Sequence, residues 1–466
     1  MKKSPLDIKN LSVVKPVSLL CLLATLLAAN SAMGQYFDVN GATSGFGIAN
    51  NGSYSWDASF WSTSSAGTVA TTAWVPGTFA RFYGGTSGQS YTVTVNNDES
   101  MAGLWQHASG VTLTINAAGS GDLNITTAGG TLQGGTDVQG FLLSAPIIIN
   151  APIVGSGGLE PELIASGGAI SLFGHNSYSG GTLLTSSSAL TSFNNNNSFG
   201  SGVISVGLGA GSYAPILSAG GSTITLANNF TNSGTGGGIN FGSAANTAVV
   251  STGNWGVGVT NFLIRNNGDT TAPLTISGVI SGSGGVAFSG NNGGKITLSG
   301  ANTYTGPTTV NFGTAAGTLK LGATNTIASS ASVILIKGNL DLGGFNHSMS
   351  GTTLSLLAGA GGVSTIDFED VSTLSLANSS ALSWTGTLDL ANWVAGTTSL
   401  EFGTDNTGLT TNQLADIEFN YDPATLGSAY LDANGYVVPE PSSISLGVLG
   451  GLGGLGLLWN VRRRKS

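Results

Sequence analysis

The chain has 466 residues, of which 8% are charged and 74 are glycine, with a formal net charge of −9 at pH 7. Between residues 35 and 438 only five cations (Arg81, Arg265, Lys295, Lys320 and Lys337) stand against twenty acids. So few cations argue against a phosphate-tracking surface for nucleic acid and against a basic face for anionic lipid, while a hydrophobic fraction of 41% argues against disorder.

In chain order, residues 1–16 carry Lys2, Lys3, Lys9 and Lys15, an apolar run occupies 17–29, and Ala32-Met33-Gly34 follows with small residues. That layout predicts a secretory signal peptide over 1–34, cleaved between Gly34 and Gln35, with a buried N-terminal helix as the alternative. Thirteen apolar residues are too few to span a bilayer. The single cysteine, Cys21, lies in that run, and Ser18-Leu19-Leu20 before it lacks the small residue that lipoprotein processing uses. The exported chain is therefore expected to hold itself together without disulfides.

Residues 35–100 are rich in aromatics (Trp56, Phe60, Trp61, Trp74, Phe79, Phe82 and Tyr83) and are read as an N-terminal β cap, with an aromatic carbohydrate platform as the alternative. Strands are predicted wherever apolar and polar residues alternate, as in YTVTVNND (91–98), VTLTIN (111–116), KITLSG (295–300), TLKLG (318–322), NLDLGG (339–344) and TLDLAN (387–392). Gly, Asn and Ser punctuate them as turns. No stretch holds a 3.6-residue period, so the exported part is expected to be all-β.

Two blocks are copied within 101–438. APIIINAPIVGSGGL (145–159) matches APLTISGVISGSGGV (272–286), and GAISLFGHNSYSGGTLL (168–184) matches GKITLSGANTYTGPTTV (294–310). A duplicated unit of about 40 residues signals a solenoid, in which each unit buries its apolar face against its neighbours. The second copy, over 296–322, resembles the autotransporter-associated β-strand repeat: an apolar strand, Gly-x-Asn-Thr-Tyr-Thr-Gly, a Thr-rich strand, a Gly-rich turn and GTL-x-LG. It departs at Pro307, where Gly is usual, and by an extra Thr314-Ala315. The resemblance implies a right-handed parallel β-helix; coils of about 20–25 residues would give about 16–20 turns.

Residues that could carry chemistry are sparse. His107, His175 and His347 are far apart with no second His or Cys beside them, so zinc is not expected, and each is read as a surface or turn residue. Asp367, Glu369 and Asp370 form the densest acidic group, and Asp367 and Glu369 share one face of a strand. They are read as a solvated strand end, with a Ca²⁺ site or paired carboxylates for glycoside chemistry as alternatives. The Gly-rich runs lack GK[ST] and a following helix, and no serine stands in a nucleophile elbow.

The chain closes with Pro439-Glu440-Pro441, an uncharged Gly/Leu-rich run over 444–461, and Arg462, Arg463, Arg464 and Lys465. An 18-residue apolar run is just long enough for a transmembrane helix, and the basic cluster would hold its end inside. The order of these three parts over 439–466 resembles the PEP-CTERM sorting signal of Gram-negative bacteria. That resemblance implies recognition by an exosortase, a transient inner-membrane anchor, and release to the cell surface or extracellular matrix. Pro439 and Pro441 are expected to make 438–443 an extended, unpaired strip. The functional expectation is a noncatalytic surface or matrix protein with no cofactor, handled by signal peptidase and exosortase, with extracellular polysaccharide or other surface proteins as partners. The alternative is a β-helical polysaccharide lyase or glycoside hydrolase.

Overall fold

The computed structural model describes residues 34–125, 141–143, 145–163, 168–188, 190–243, 247–258, 261–267, 272–290, 293–312, 317–328, 332–369 and 372–440. Residues 1–33 of the signal peptide expected over 1–34, and the apolar run and basic end within 441–466, lie outside them. The chain divides into two compact units, Met1–Gly180 and Gly181–Ser466. Both are almost wholly β; the described residues hold one five-residue helix, Thr411–Ala415, and one 3₁₀ turn, Pro423–Thr425.

The second unit shows best why this sequence coils. Strands Ile224–Leu226, Val249–Ser251, Leu274–Ile276, Lys295–Leu298 and Thr318–Leu321 pair in parallel, each with its successor one coil later. Alternation sends every second side chain inward. Val249, Leu274, Ile296, Leu319, Leu340, Ile366, Leu390 and Phe419 therefore form one continuous register line, each at most 4% exposed. β-Branched and leucine side chains stacked this way fill the interior as in any well-packed core. Two further parallel ladders close the coil. One runs from Leu190–Phe193 through Tyr213–Ser218 to Trp384–Thr385, and the other from Thr182–Leu184 to Ile280–Gly282.

The duplicated blocks explain each other. Asn302 accepts from the Ile280 backbone N–H at 2.7 Å and donates to the Thr326 carbonyl at 2.6 Å, stitching coils alongside the backbone bonds from Thr303 to Ile280 and from Thr305 to Gly282. Asn176 of the first copy, in the first unit, accepts from Ile153 N–H at 2.8 Å. Tyr178 and Tyr304 are both fully buried beside them. A Cβ on Gly306 would strike the backbone of Gly284 and Gly285, and one on Gly180 would strike that of Gly157 and Gly158. The GSGG of one block and the closing glycine of the other are thus one close backbone contact between successive coils.

In the first unit, strands Gly52–Ser55, Ser90–Val95, Thr112–Ala117, Pro146–Ile149 and Ala169–Leu172 form a parallel ladder. The described residues hold about 12 turns rather than the 16–20 that a uniform coil implies. Long turns account for part of the difference: Gly52 pairs with Tyr91 and Leu113 with Ile147, so single turns there take up well over 25 residues. Antiparallel pairing appears, among the described residues, only near the first unit's beginning (Gln35–Phe37 with Trp61–Ser62) and the second unit's close (Ala429–Leu431 with Val437–Pro439), apart from isolated bridges in the same two regions. At the former, Phe37, Trp56, Trp61, Trp74 and Phe82 pack as one aromatic cluster, with ring centroids 4.4–5.8 Å apart. Trp56, Trp61 and Phe82 are completely buried, so these rings fill a core and are not displayed to a ligand.

Candidate functional site

The outer surface of the second unit changes character along one ladder. The outward register line reads Thr225, Val250, Thr275 and Thr297, then Lys320, Asp341 and Asp367. The neighbouring outward line reads Thr318, Asn339, Thr365, Asp389 and Glu418. Asp341 therefore lies opposite Asp367, and Asp389 opposite Glu418. Like charges directly across a ladder are destabilising, so this row costs stability that the neutral threonine rows do not.

The row is only partly compensated. Lys320 Nζ bonds both carboxylate oxygens of Glu369 at 2.8 and 2.9 Å and lies 3.4 Å from Asp341 Oδ2. Asp341 Oδ1 accepts from the Gly343 N–H at 2.7 Å, yet burial pushes its carboxyl above the usual range. Asp367 Oδ1 accepts from Asn392 Nδ2 at 2.7 Å and from the Glu369 N–H at 3.0 Å. Asp389 is fully buried; its Oδ1 accepts from the Tyr421 N–H at 2.8 Å, and its Oδ2 has no protein partner. Burial, reinforced by the charges of Glu418 and Asp367, pushes the Asp389 carboxyl up to about 6.

Beside the row opens a pocket of about 480 Å³ lined by Asn392, Trp393, Val394, Asn420 and Tyr421. Asn392, Asn420 and Tyr421 all hold φ between 55° and 57°, and Glu369 in the row has φ of 28°. Six non-glycine residues among those described adopt positive φ, and four of them are here. Such backbone is strained and persists where surrounding structure overdetermines it, as happens at binding sites.

Of the acids singled out from sequence, Asp367 and Glu369 belong to this row and Asp370 lies outside the described residues. They are not a solvated strand end standing alone: stacking brings Asp341, Asp389 and Glu418 beside them. Those three were missed because they are scattered over some eighty residues; the signal that could have found them is the coil interval, which separates Lys320, Asp341, Asp367 and Asn392 by 21 to 26 positions. No group of three or more His, Cys, Asp or Glu side chains among the described residues is arranged to hold a metal ion.

The histidines do not converge. His107 is exposed and stacks on Tyr83 with centroids 4.0 Å apart, and His175 is exposed. His347 was read as a surface or turn residue, but it is 1% exposed. Its Nδ1 accepts from the Asn325 N–H at 3.2 Å and its Nε2 bonds the Leu342 carbonyl at 3.0 Å, while burial holds its pKa down, so it is a neutral strut between coils. In the first unit, four amide N–H groups of Asn96 and Asn97 hold Asp57 below the usual carboxylate range despite its partial burial. Glu99 beside it is pushed up to about 7 by burial and by that charge.

Of the residues expected to take part in processing, Gly34 and Gln35 open the described chain. Gln35 is 4% exposed and accepts from the Val75 N–H at 2.6 Å. The stretch from 438 was expected to be unpaired, but Val438 and Pro439 pair with Tyr430 and Ala429, and Glu440 N–H donates to the Ser428 carbonyl. Proline lacks an N–H yet still serves as an edge position, which is why the hairpin tolerates it. Pro441 and Arg462, Arg463, Arg464 and Lys465 lie outside the described residues, among which no helix is long and apolar enough to cross a membrane. No family model, curated protein or solved structure matches the chain.

Proposed function

We propose that the chain is an exported, noncatalytic surface or matrix protein: a right-handed β-solenoid delivered by its signal peptide and sorted through Pro439-Glu440-Pro441. One observation carries the reading. On the ladder from Ile224–Leu226 to Lys295–Leu298 the outward register line presents Thr225, Val250, Thr275 and Thr297 rather than converging reactive groups. The right-handed sense rests on the strong preference of parallel crossover connections.

The test follows the tail. In an exosortase-bearing host, Glu440→Ala leaves export and folding intact, and the unprocessed protein accumulates in the inner membrane, read by cell fractionation and mass. Trimming and release at the wild-type rate would overturn the sorting reading. A second reading, a glycan lyase or hydrolase, draws support from Lys320, Asp341, Asp367, Glu369 and Asp389 meeting on adjacent coils. It is the weaker reading because Asp341 and Asp389, the carboxyls of this group with the raised pKa that a general acid needs, are both buried. Reducing-end release from polysaccharide that disappears in Asp367→Asn would select it instead.

A further inference from the structure

The pocket of Asn392, Trp393, Val394, Asn420 and Tyr421 is built unlike the rest of the outer surface. Its volume of about 480 Å³ falls in the range of small-ligand sites. None of its lining residues is charged. Each wall is tied from behind. Asn420 accepts from the Trp393 N–H at 2.8 Å and donates back to the Trp393 carbonyl at 3.1 Å. Asn392 donates to Asp367, and the Tyr421 backbone donates to the buried Asp389. The acidic row thus serves as an anchor for strained turns that the coil would not otherwise hold.

What is held in place is a set of recognition groups. Tyr421 is 61% exposed and Val394 49% exposed, so a broad ring and a branched apolar group face solvent at the pocket. Trp393 is nearly buried, and its Nε1 has no acceptor in the protein; Asp389 Oδ2 behind the Tyr421 wall is likewise without a partner. Both atoms are sealed from solvent, so the groups that can meet a ligand are the exposed ring and the amides of the rim. An exposed aromatic ring flanked by uncharged amides suits a pyranose, which offers a C–H face for stacking and hydroxyls for hydrogen bonds. Asp341, Asp367, Glu369 and Glu418 nearby oppose any uronate or sulfate.

We propose that this pocket binds one sugar unit of an uncharged polysaccharide, tethering the protein to a neutral glycan. The proposal rests on the surface-protein reading and names its ligand class. Full-length protein run in native gels containing hydroxyethylcellulose, dextran or galactomannan is retarded by at least one of them, and is not retarded by polygalacturonate. Tyr421→Gly removes the ring while relaxing a φ of 57°, and it weakens the retardation about tenfold or more. Its denaturation midpoint stays near that of wild type, which separates lost binding from lost folding. Retardation by none of the three neutral polymers overturns the proposal. So does undiminished retardation of Tyr421→Gly, equal retardation by polygalacturonate, or binding only to chitosan oligosaccharides, which would assign recognition to the acids. Export and sorting of Tyr421→Gly remain as in wild type, so failure here is distinct from failure of the surface-protein reading.

Discussion

Residues 224–321 and 339–421 of the second unit are built on the same parallel ladder but solve different problems. In the first stretch the outward positions are almost all neutral, and Asn302 and Gly306 hold the coils at contact distance. In the second, the interior line of Leu340, Ile366 and Leu390 continues unbroken while the outer rows turn acidic and the turns adopt left-handed backbone. The interior is indifferent to what the outer face carries, because alternate residues of a strand point to opposite sides. A solenoid can therefore place a costly polar arrangement on a few coils without disturbing its core.

The sharpest test of that contrast is Gly306→Ala. The added methyl meets backbone that cannot swing aside, so the coils must part, at a cost of about 3 kcal/mol seen in chemical denaturation. A variant as stable as wild type would show that the close contact does not hold the coils.

The next effect belongs to the acidic coils. Asp389 has a folded pKa of about 6, raised above its ordinary 3.8. The stability it contributes is full below about pH 4 and is lost as pH rises through about 6. Asp389→Asn keeps an acceptor for the Tyr421 N–H and carries no charge. It should remove that part of the pH dependence and be more stable than wild type at pH 8 by on the order of 1–3 kcal/mol. Parallel stability–pH curves for the two proteins would refute the placement of Asp389.

The smallest effect is expected from Lys320→Ala. The Lys320–Glu369 pair is more than a third exposed on both sides, so its loss should cost no more than about 1 kcal/mol and fade with added salt. A loss well beyond that would mean that the row depends on its one cation.

How far these features were legible differs by kind. The strands over 295–300 and 318–322 were readable because a two-residue alternation is a local signal, and the duplicated blocks pointed to coils. The Asn and Gly of the repeat were visible as a pattern, but that Asn302 reaches back to Ile280 was not. TLDLAN (387–392) reads as one more strand; nothing within six residues says that Asp389 will be sealed against Glu418. His347 looked like a turn residue because its two backbone partners come from neighbouring turns, 22 and 5 residues away.

The sequence by itself determined the class of architecture, the inward-facing residues and the lack of disulfides, since each follows from residue type and nearest-neighbour order. Only the tertiary structure decided which outward residues meet. Each turn takes 21 to 29 residues in the second unit, according to the loops it carries. The loops absorb these differences, and the parallel pairing of the strands keeps the inward and outward faces in register. The acidic row, the neutral His347 and the Trp393–Tyr421 pocket are sums over those loop lengths, fixed by stacking the coils in register.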